Sequence, residues 1–449
     1  MELRISENLN NLAKACPFPL YIVGGYVRDS IAGIVSEKGD VDICAPVSAD
    51  GFCAAAKEVG ACVTAVYRAT GTVKLRLEEE EYEFACFRSD EYIRGIHTPV
   101  KTFFTDDINL DARRRDFKCN AVYYEIKSKT VCDPLGGTED IINRRMTTVE
   151  DADKVFGEDG LRLMRLARQS AQLGFEPTED CIEGAKNNIS LLKDVSAERI
   201  YAELNSILLA DEAYGINGAQ YKGLKLLDKI GALDIILPEL ALGRGMKQNE
   251  RFHKYDVLEH SLRTVLYADK SIRLSALLHD VGKPYCMINN GNYRMHEEES
   301  ARIAKEVCER LKVSKKLTAE TVELSALHMY DFRCDARENK VRKFIVRNSA
   351  ILDKLLLIKQ ADYSACRDDL SEAPCVTKWL GIYEKMRSEG APLNLKQLKV
   401  NGAELISAGV QPENVGKVLS KLLDDCAIEP SLNEKKALIK RAFNVFCER

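Results

Sequence analysis

Asp40 and Asp42 are separated by one residue, Val41. In an extended strand successive side chains alternate, so both carboxylates face the same way. Two like charges held together are costly unless a cation lies between them. Mg2+ suits such a pair, because it takes one or two carboxylates and completes its shell with water and substrate phosphates. Taken alone, the pair reads as two solvated acids on an edge strand. Just upstream, Val23-Gly24-Gly25-Tyr26-Val27-Arg28-Asp29 follows a β-rich run and opens a helical pattern. Taken alone, this too is an ordinary strand-to-helix turn. Its two glycines would nevertheless let backbone N–H groups approach a polyphosphate, and Arg28 could clamp phosphate oxygens with its forked guanidinium. Together the two segments favour a metal-assisted nucleotide site.

Two further segments carry chemistry. Arg113-Arg114-Arg115-Asp116-Phe117-Lys118-Cys119-Asn120 is a basic knot closed by an acid, which by itself reads as a solvated turn. In Glu158-Asp159-Gly160-Leu161-Arg162-Leu163-Met164-Arg165-Leu166-Ala167-Arg168, the residues Asp159, Arg162, Arg165 and Arg168 recur every three positions. On a helix that spacing makes one polar edge beside a Leu/Met stripe. An ordinary amphipathic surface helix has the same pattern. A carboxylate beside a guanidinium also offers acceptors and donors together, and can pair with the Watson–Crick edges of adenine and cytosine. Asp133-Pro134-Leu135-Gly136-Gly137-Thr138-Glu139-Asp140 reads as a structural turn.

The chain has six histidines. His260, His279 followed by Asp280, His296, His328 and then Asp362 form an ordered set that resembles the HD metal-dependent phosphohydrolases. Any one of these histidines reads as a satisfied core residue. As a set, imidazoles and carboxylates suit a transition metal (Mn, Ni, Co or Fe) that activates water against a phosphate.

The elements that must hold these residues are of two kinds. Up to about residue 146, short β-rich runs (20–23, 41–44, 72–77 and 81–87) alternate with helical patterns, and 88–111 reads as a long mobile loop. Beyond about 150 the apolar spacing is helical, as in Ile200, Leu204, Ile207 and Leu208, and strand signals are scarce. The fold class expected is α+β. With 449 residues there is room for about three domains at ~150 residues each. No apolar run reaches the ~18 residues of a membrane span. Fifteen cysteines without a Cys-x-x-Cys spacing read as reduced thiols. No signal-peptide core opens the sequence, so the expected location is cytoplasmic. The net charge of −4 means that nucleic acid would have to meet local basic faces.

Gly24-Gly25-x-x-Arg28-Asp29, Asp40-x-Asp42, Arg114-Arg115-Asp116, Asp133-Pro134-x-Gly136-Gly137 and Glu158-Asp159-x-x-Arg162 occur in this order. With Ser196-Ala197-Glu198-Arg199-Ile200, they resemble the bacterial class II CCA-adding tRNA nucleotidyltransferases and poly(A) polymerases, over roughly residues 18–210. The resemblance implies a polymerase-β-like nucleotidyltransferase head at 1–146 and an all-helical remainder. That remainder would comprise a neck at 147–215, a body at 216–390 with the HD domain at about 255–365, and a tail at 391–449 contacting tRNA. It implies Mg2+-dependent, template-independent addition of CCA to tRNA 3′ ends from CTP and ATP. Asp40 and Asp42 would bind Mg2+. Gly24, Gly25, Arg28, Arg115 and Asp116 would line the nucleotide site, Asp159 and Arg162 would read the base, and Arg165 and Arg168 would complete the site. Two stretches depart from the family pattern. Lys118-Cys119-Asn120 stands where many relatives have Thr-Ile-Asn. The loop around Tyr92–Pro99, which in this family helps switch from C to A addition, matches loosely. The alternatives are an enzyme that adds only CC or only A, a poly(A) polymerase, or an HD phosphohydrolase whose head merely tethers RNA.

Overall fold

The computed structural model describes residues 3–34, 41–93 and 99–447. Asp40, and residues 94–98 of the loop around Tyr92–Pro99, lie outside the described residues. The chain divides into two compact units, Met1–Ala241 and Leu242–Arg449.

The first unit is built on a seven-stranded sheet. Its strands are β1 (Tyr21–Val23), β2 (Asp42–Ala45), β3 (Cys62–Tyr67), β4 (Thr72–Leu77), β5 (Glu80–Cys86), and, further along the chain, β8 (Tyr123–Glu125) and β9 (Thr130–Cys132). They pair in the order β3-β4-β5-β2-β1-β8-β9. Only β2 and β5 are parallel neighbours. β4 buries Val73, Leu75 and Leu77, and β5 buries Tyr82, Phe84 and Cys86, so strict alternation puts one face of this hairpin into the core. Helix Ala49–Glu58 starts at Ser48, whose hydroxyl accepts from Gly51 N at 3.2 Å. It lays Phe52 flat on Phe84 with ring centroids 3.6 Å apart. Burying a ring of that size contributes on the order of 2–3 kcal/mol.

Within the expected mobile loop at 88–111, the described residues 88–93 and 99–111 are not the loop that their polarity suggests. They contain β6 (Arg88–Glu91) paired antiparallel with β7 (Lys101–Phe104), then helix Ile108–Arg113, capped by Asp107 accepting from Asn109 N at 2.8 Å. The sequence of β6, Arg88-Ser89-Asp90-Glu91, has no apolar alternation to reveal it. Polar contacts hold it instead, including Arg88 Nε to Asp90 Oδ2 at 3.1 Å and Thr102 Oγ1 to Asp90 Oδ1 at 2.9 Å.

After the sheet the unit is helical, with Leu161–Leu173 packed on Ala197–Leu208 and Ala219–Lys229. One small departure from an all-helical neck is the parallel pairing of β10 (Arg145–Met146) with β11 (Glu176–Pro177). Two residues per strand are too few to leave a periodic signal. The stretch 158–168 is not one helix either. Helix Ala152–Glu158 ends at Asp159, whose backbone is extended (φ −146°, ψ 110°), and a new helix starts at Leu161. The break sits at Gly160, where a Cβ would stand 2.8 Å from the Leu191 carbonyl oxygen.

The described residues of the second unit contain helices and no strands. One of its cores gathers around Trp379, whose indole N–H donates to Asp331 Oδ2 at 3.0 Å. No helix among the described residues is long and apolar enough to cross a membrane. The described cysteines are free thiols.

Candidate nucleotide site and candidate metal centre

β1 and β2 pair with Val23 opposite Asp42, which sets the Gly24–Gly25 turn beside the Asp42 carboxylate. Gly24 has φ 81° and ψ −138°, a backbone that essentially only glycine adopts. A Cβ on Gly24 would stand 3.5 Å from Asp42 Oδ2, and one on Gly25 would stand 3.4 Å from Arg28 Nη2. Side chains at either glycine would therefore fill space between a carboxylate and a guanidinium. That cradle fits a cation-bound polyphosphate.

The turn opens onto a cleft of about 460 Å³ within the first unit. Gly24, Gly25, Arg28, Asp42, Arg115, Asp116, Asp159, Arg162, Arg165 and Arg168 all line it. Seven arginines and three aspartates contribute, so the cleft favours a polyanion although the chain as a whole is acidic.

Buried networks position these groups. Arg28 donates from Nε to Asp29 Oδ1 (2.8 Å), from Nη1 to Asn120 Oδ1 (2.7 Å) and from Nη2 to the Tyr214 hydroxyl (3.0 Å). Asp116 accepts from Arg165 at 2.6 Å and from Asn120 Nδ2 at 3.0 Å. Burial works against the Asp116 carboxylate, but Arg165 and the Asn120 hydrogen bond overcome it and hold its pKa well below the usual range. Asn120 also donates to Gln169 Oε1 at 2.8 Å, which ties it to helix Leu161–Leu173. Asp111 accepts from Arg114 Nε (2.7 Å), Tyr123 Oη (2.7 Å) and Arg115 Nη2 (3.2 Å). Burial opposes its ionisation. The charges of Arg114 and Arg115 prevail, with the Tyr123 hydrogen bond, and bring its pKa down from 3.8 to about 2.

The proposed base-reading pair is also held. Arg162 donates from Nη1 to Glu158 Oε2 (2.7 Å) and to the Val155 carbonyl (2.9 Å), and from Nη2 to the Arg114 carbonyl (2.9 Å). The Tyr92 ring lies 5.5 Å from its guanidinium carbon. Asp159 Oδ1 accepts from Leu161 N at 2.9 Å, and its Oδ2 is 3.7 Å from Arg199.

Sequence reasoning passed over Asp111, Asn120, Gln169 and Tyr214. Asp111 had a readable signal, since Arg114 and Arg115 follow it at the i+3 and i+4 helical spacings. Gln169 and Tyr214 had none, because they meet their partners across 49 to 186 residues of chain, and Asn120, though four residues from Asp116, reaches Arg28 and Gln169 across 92 and 49. The Asp133 segment is a structural turn. Asp133 accepts from Gly137 N and Thr138 N, and a Cβ on Gly137 would fall 2.1 Å from the Lys118 carbonyl oxygen.

In the second unit, His260 sits on helix Val257–Tyr267, and His279-Asp280 follows helix Arg273–Leu278. His296 opens helix His296–Arg310, His328 ends helix Lys315–Leu327, and Asp362 lies on helix Leu352–Arg367. All six side chains converge. Asp280 Oδ2 is 3.3 Å from His260 Nε2 and 3.2 Å from His279 Nε2, and its Oδ1 is 3.1 Å from His296 Nε2 and 3.5 Å from His328 Nε2. Asp362 Oδ1 is 3.0 Å from His260 Nε2. His279, His296 and His328 each place Nδ1 at 2.7–2.8 Å from a backbone carbonyl, which turns Nε2 inward. Those Nε2 atoms and Asp280 Oδ1 are buried without a hydrogen-bond partner, while Asp280 Oδ2 is 2.6 Å from Lys283 Nζ. An unsatisfied buried polar atom costs ~1–3 kcal/mol. Such a convergent donor set fits a divalent transition ion.

The comparisons with known proteins agree with this arrangement. Residues 20–147 match the poly A polymerase head domain. A poly A polymerase head domain is therefore present in this chain. Residues 174–242 match the probable RNA and SrmB-binding site of polymerase A, and residues 257–365 the HD domain. The resemblance drawn from the ordered motifs is thus shown, and head, RNA-binding and HD domains are all present. The chain is similar to the A-adding tRNA nucleotidyltransferase of Deinococcus radiodurans, at 29% identity over 95% of this chain and 96% of that protein. It is also similar to a multifunctional CCA protein of Vibrio vulnificus (27% identity, 79% and 87% covered). The CCA-adding enzyme of Geobacillus thermodenitrificans is 34% identical over 50% of this chain and 52% of that protein. In fold it matches the Bacillus stearothermophilus CCA-adding enzyme solved with CTP, with a TM-score of 0.68 at 22% identity, covering 99% and 98% of the two chains. The Thermotoga maritima CCA-adding enzyme complexed with tRNA matches with a TM-score of 0.60 at 17% identity, covering 98% and 94%. A polymerase-β-like head followed by a mostly helical body is therefore the fold, and both domain families imply a divalent metal.

Proposed function

We propose that this protein is a nucleotidyltransferase that adds CCA to tRNA 3′ ends from CTP and ATP without a nucleic-acid template. The observation that carries the reading is the single cleft lined by Asp42, the Gly24–Gly25 turn and the arginine-rich helix Leu161–Leu173, in a chain similar from end to end to an A-adding tRNA nucleotidyltransferase. On this reading the head (1–146) holds the triphosphate, the neck (147–215) selects the base, the body (216–390) carries the HD domain, and the tail (391–449) meets tRNA. The 3′-OH of tRNA attacks the α-phosphate, a new P–O bond forms, and pyrophosphate leaves. Mg2+ held by Asp42 with Asp40 would supply activation of the hydroxyl and neutralisation of the leaving oxygens. Arg28 and Arg115 orient the triphosphate, and Asp159 with Arg162 offers acceptor and donor to the base edge. Binding requires Arg162 to give up part of its contact with Glu158 or Tyr92. Lys399 and Lys421 in the tail pair with Glu434 and Asp425, and all but the largely buried Asp425 carboxylate are well exposed. Such surface pairs are worth ~1 kcal/mol or less and yield readily to RNA phosphates.

The test is incorporation of CTP and ATP into tRNA lacking CCA, and into tRNA lacking only the final A, with Mg2+ titrated. Wild type should stop after completing the end, and Asp42→Ala should lose transfer. Unlimited A-tailing of generic RNA would refute the reading. An A-only enzyme is the second reading, favoured by the end-to-end match to an A-adding relative. It is distinguished by failure to extend tRNA lacking all three nucleotides.

The HD centre would hold Mn, Ni, Co or Fe through His260, His279, Asp280, His296, His328 and Asp362, and hydrolyse phosphate esters. Loss of that hydrolysis in Asp280→Asn, with CCA addition unchanged, is the expected outcome.

A further inference from the structure

Beside the HD centre lies a second convergence of donors, two of which, His253 and Cys366, the hydrolytic reading does not use. The segment around residues 249–254 is fastened to the end of helix Leu352–Arg367. Lys254 N donates to the Cys366 carbonyl at 2.9 Å, and Arg367 Nη2 donates to the carbonyls of Glu250 (2.7 Å) and Arg251 (2.6 Å). This fastening puts His253 Nδ1 at 3.5 Å from Cys366 Sγ. Cys366 is one helical turn beyond Asp362, on the same face. The third member is His260, whose ring stands edge-on to that of His253 with centroids 5.0 Å apart. One ligand atom from each of the three residues falls within 4.8 Å of the others. His260 is fully buried, and its Nδ1 has no hydrogen-bond partner.

We propose that His253, His260 and Cys366 form a second binding site, sharing His260 with the HD centre, for a thiophilic divalent cation such as Zn2+. A tetrahedral zinc with Zn–S of about 2.3 Å and Zn–N of about 2.0–2.1 Å separates a sulfur and a nitrogen ligand by about 3.6 Å. The His253–Cys366 pair already stands at that spacing. His253 and Cys366 are only partly buried, which leaves the fourth position to water. The thiol distinguishes this site from the HD centre, whose donors are all nitrogen and oxygen and which suits harder ions. Because His260 belongs to both, an ion here takes a ligand from the HD centre.

The experiment uses the full chain, stripped of metal by a chelator and titrated with Co2+ alone as the spectroscopic probe. The HD centre has no sulfur ligand and gives only weak visible bands. The proposed site gives in addition a near-ultraviolet sulfur-to-cobalt charge-transfer band. That band is expected in wild type, lost in Cys366→Ser and in His253→Ala, kept in His279→Ala, and displaced by Zn2+. Keeping it in His279→Ala separates this site from the hydrolytic reading, which that substitution tests by itself. Absence of the band in wild type would mean that His253 and Cys366 share only a thiol hydrogen bond, and overturns the proposal. Its persistence in Cys366→Ser would assign it to another of the cysteines, and overturns the proposal equally.

Discussion

Asp111 touches no substrate in the reading above, yet its replacement by asparagine should be among the most damaging single changes in the first unit. Its side chain is completely buried. Oδ1 accepts from Arg114 Nε at 2.7 Å and from Arg88 N at 3.3 Å. Oδ2 accepts from the Tyr123 hydroxyl at 2.7 Å and from Arg115 Nη2 at 3.2 Å. An amide nitrogen in either position faces a guanidinium, so no flip of the asparagine satisfies the site. Two magnitudes bound the cost. A carboxylate pKa lowered from 3.8 to about 2 corresponds to about 2 kcal/mol of native-state stability at neutral pH. Removing one partner of a buried ion pair costs ~3–5 kcal/mol. At ~2–4 °C per kcal/mol for a unit of this size, Asp111→Asn should lower the melting temperature of the first unit by roughly 5–15 °C at pH 7. The folded pKa is the depressed one. The stabilisation is therefore present above the unfolded pKa near 4 and is lost as pH falls toward 2, and the gap between wild type and variant should narrow over that window. Differential scanning calorimetry of both proteins from pH 7 to the lowest pH at which they fold supplies the measurement. The same substitution frees Arg115 from its anchor, so the KM for nucleotide should rise. A melting shift below about 2 °C, or a gap that widens on acidification, would refute the reasoning.

Further outcomes follow from the same structure. Asp159→Ala removes half of the proposed base-reading pair and should weaken discrimination between CTP and ATP by roughly 10- to 100-fold, the ~1–3 kcal/mol of one good bidentate contact, read from competition between labelled nucleotides. Tyr92→Ala uncovers Arg162 and should change nucleotide KM while leaving the melting temperature nearly unmoved, since a partly exposed cation–π contact is worth ~0.5–1 kcal/mol. Gly137→Ala sets a methyl against the Lys118 carbonyl, in the turn that carries Asn120. It should destabilise the first unit by at least ~1–3 kcal/mol in urea unfolding and lower transfer as well. Removal of metal from the HD centre should lower the thermal stability of the second unit, because His279, His296 and His328 then keep buried Nε2 atoms without partners.

The chemistry of this protein was written in residue types and short spacings. Two glycines before Arg28, an acid following His279, and arginines repeating every three residues are local statements, and a strand or helix turns each into a direction without help from the rest of the chain. The β4–β5 hairpin was legible for the same reason, because alternate residues must share a face. The tertiary structure decided what local pattern could not. It broke the 158–168 helix at Gly160, against the Leu191 carbonyl. It made a strand of Arg88-Ser89-Asp90-Glu91, which has no apolar face to announce it. It joined Arg28 to Tyr214, and Asn120 to Gln169, across long stretches of chain. It also brought Cys366 to His253, a pairing that no spacing in the sequence foretells. Periodicity constrains neighbours along the chain, whereas the polar networks that orient a site close over long loops, and only packing determines which groups they join.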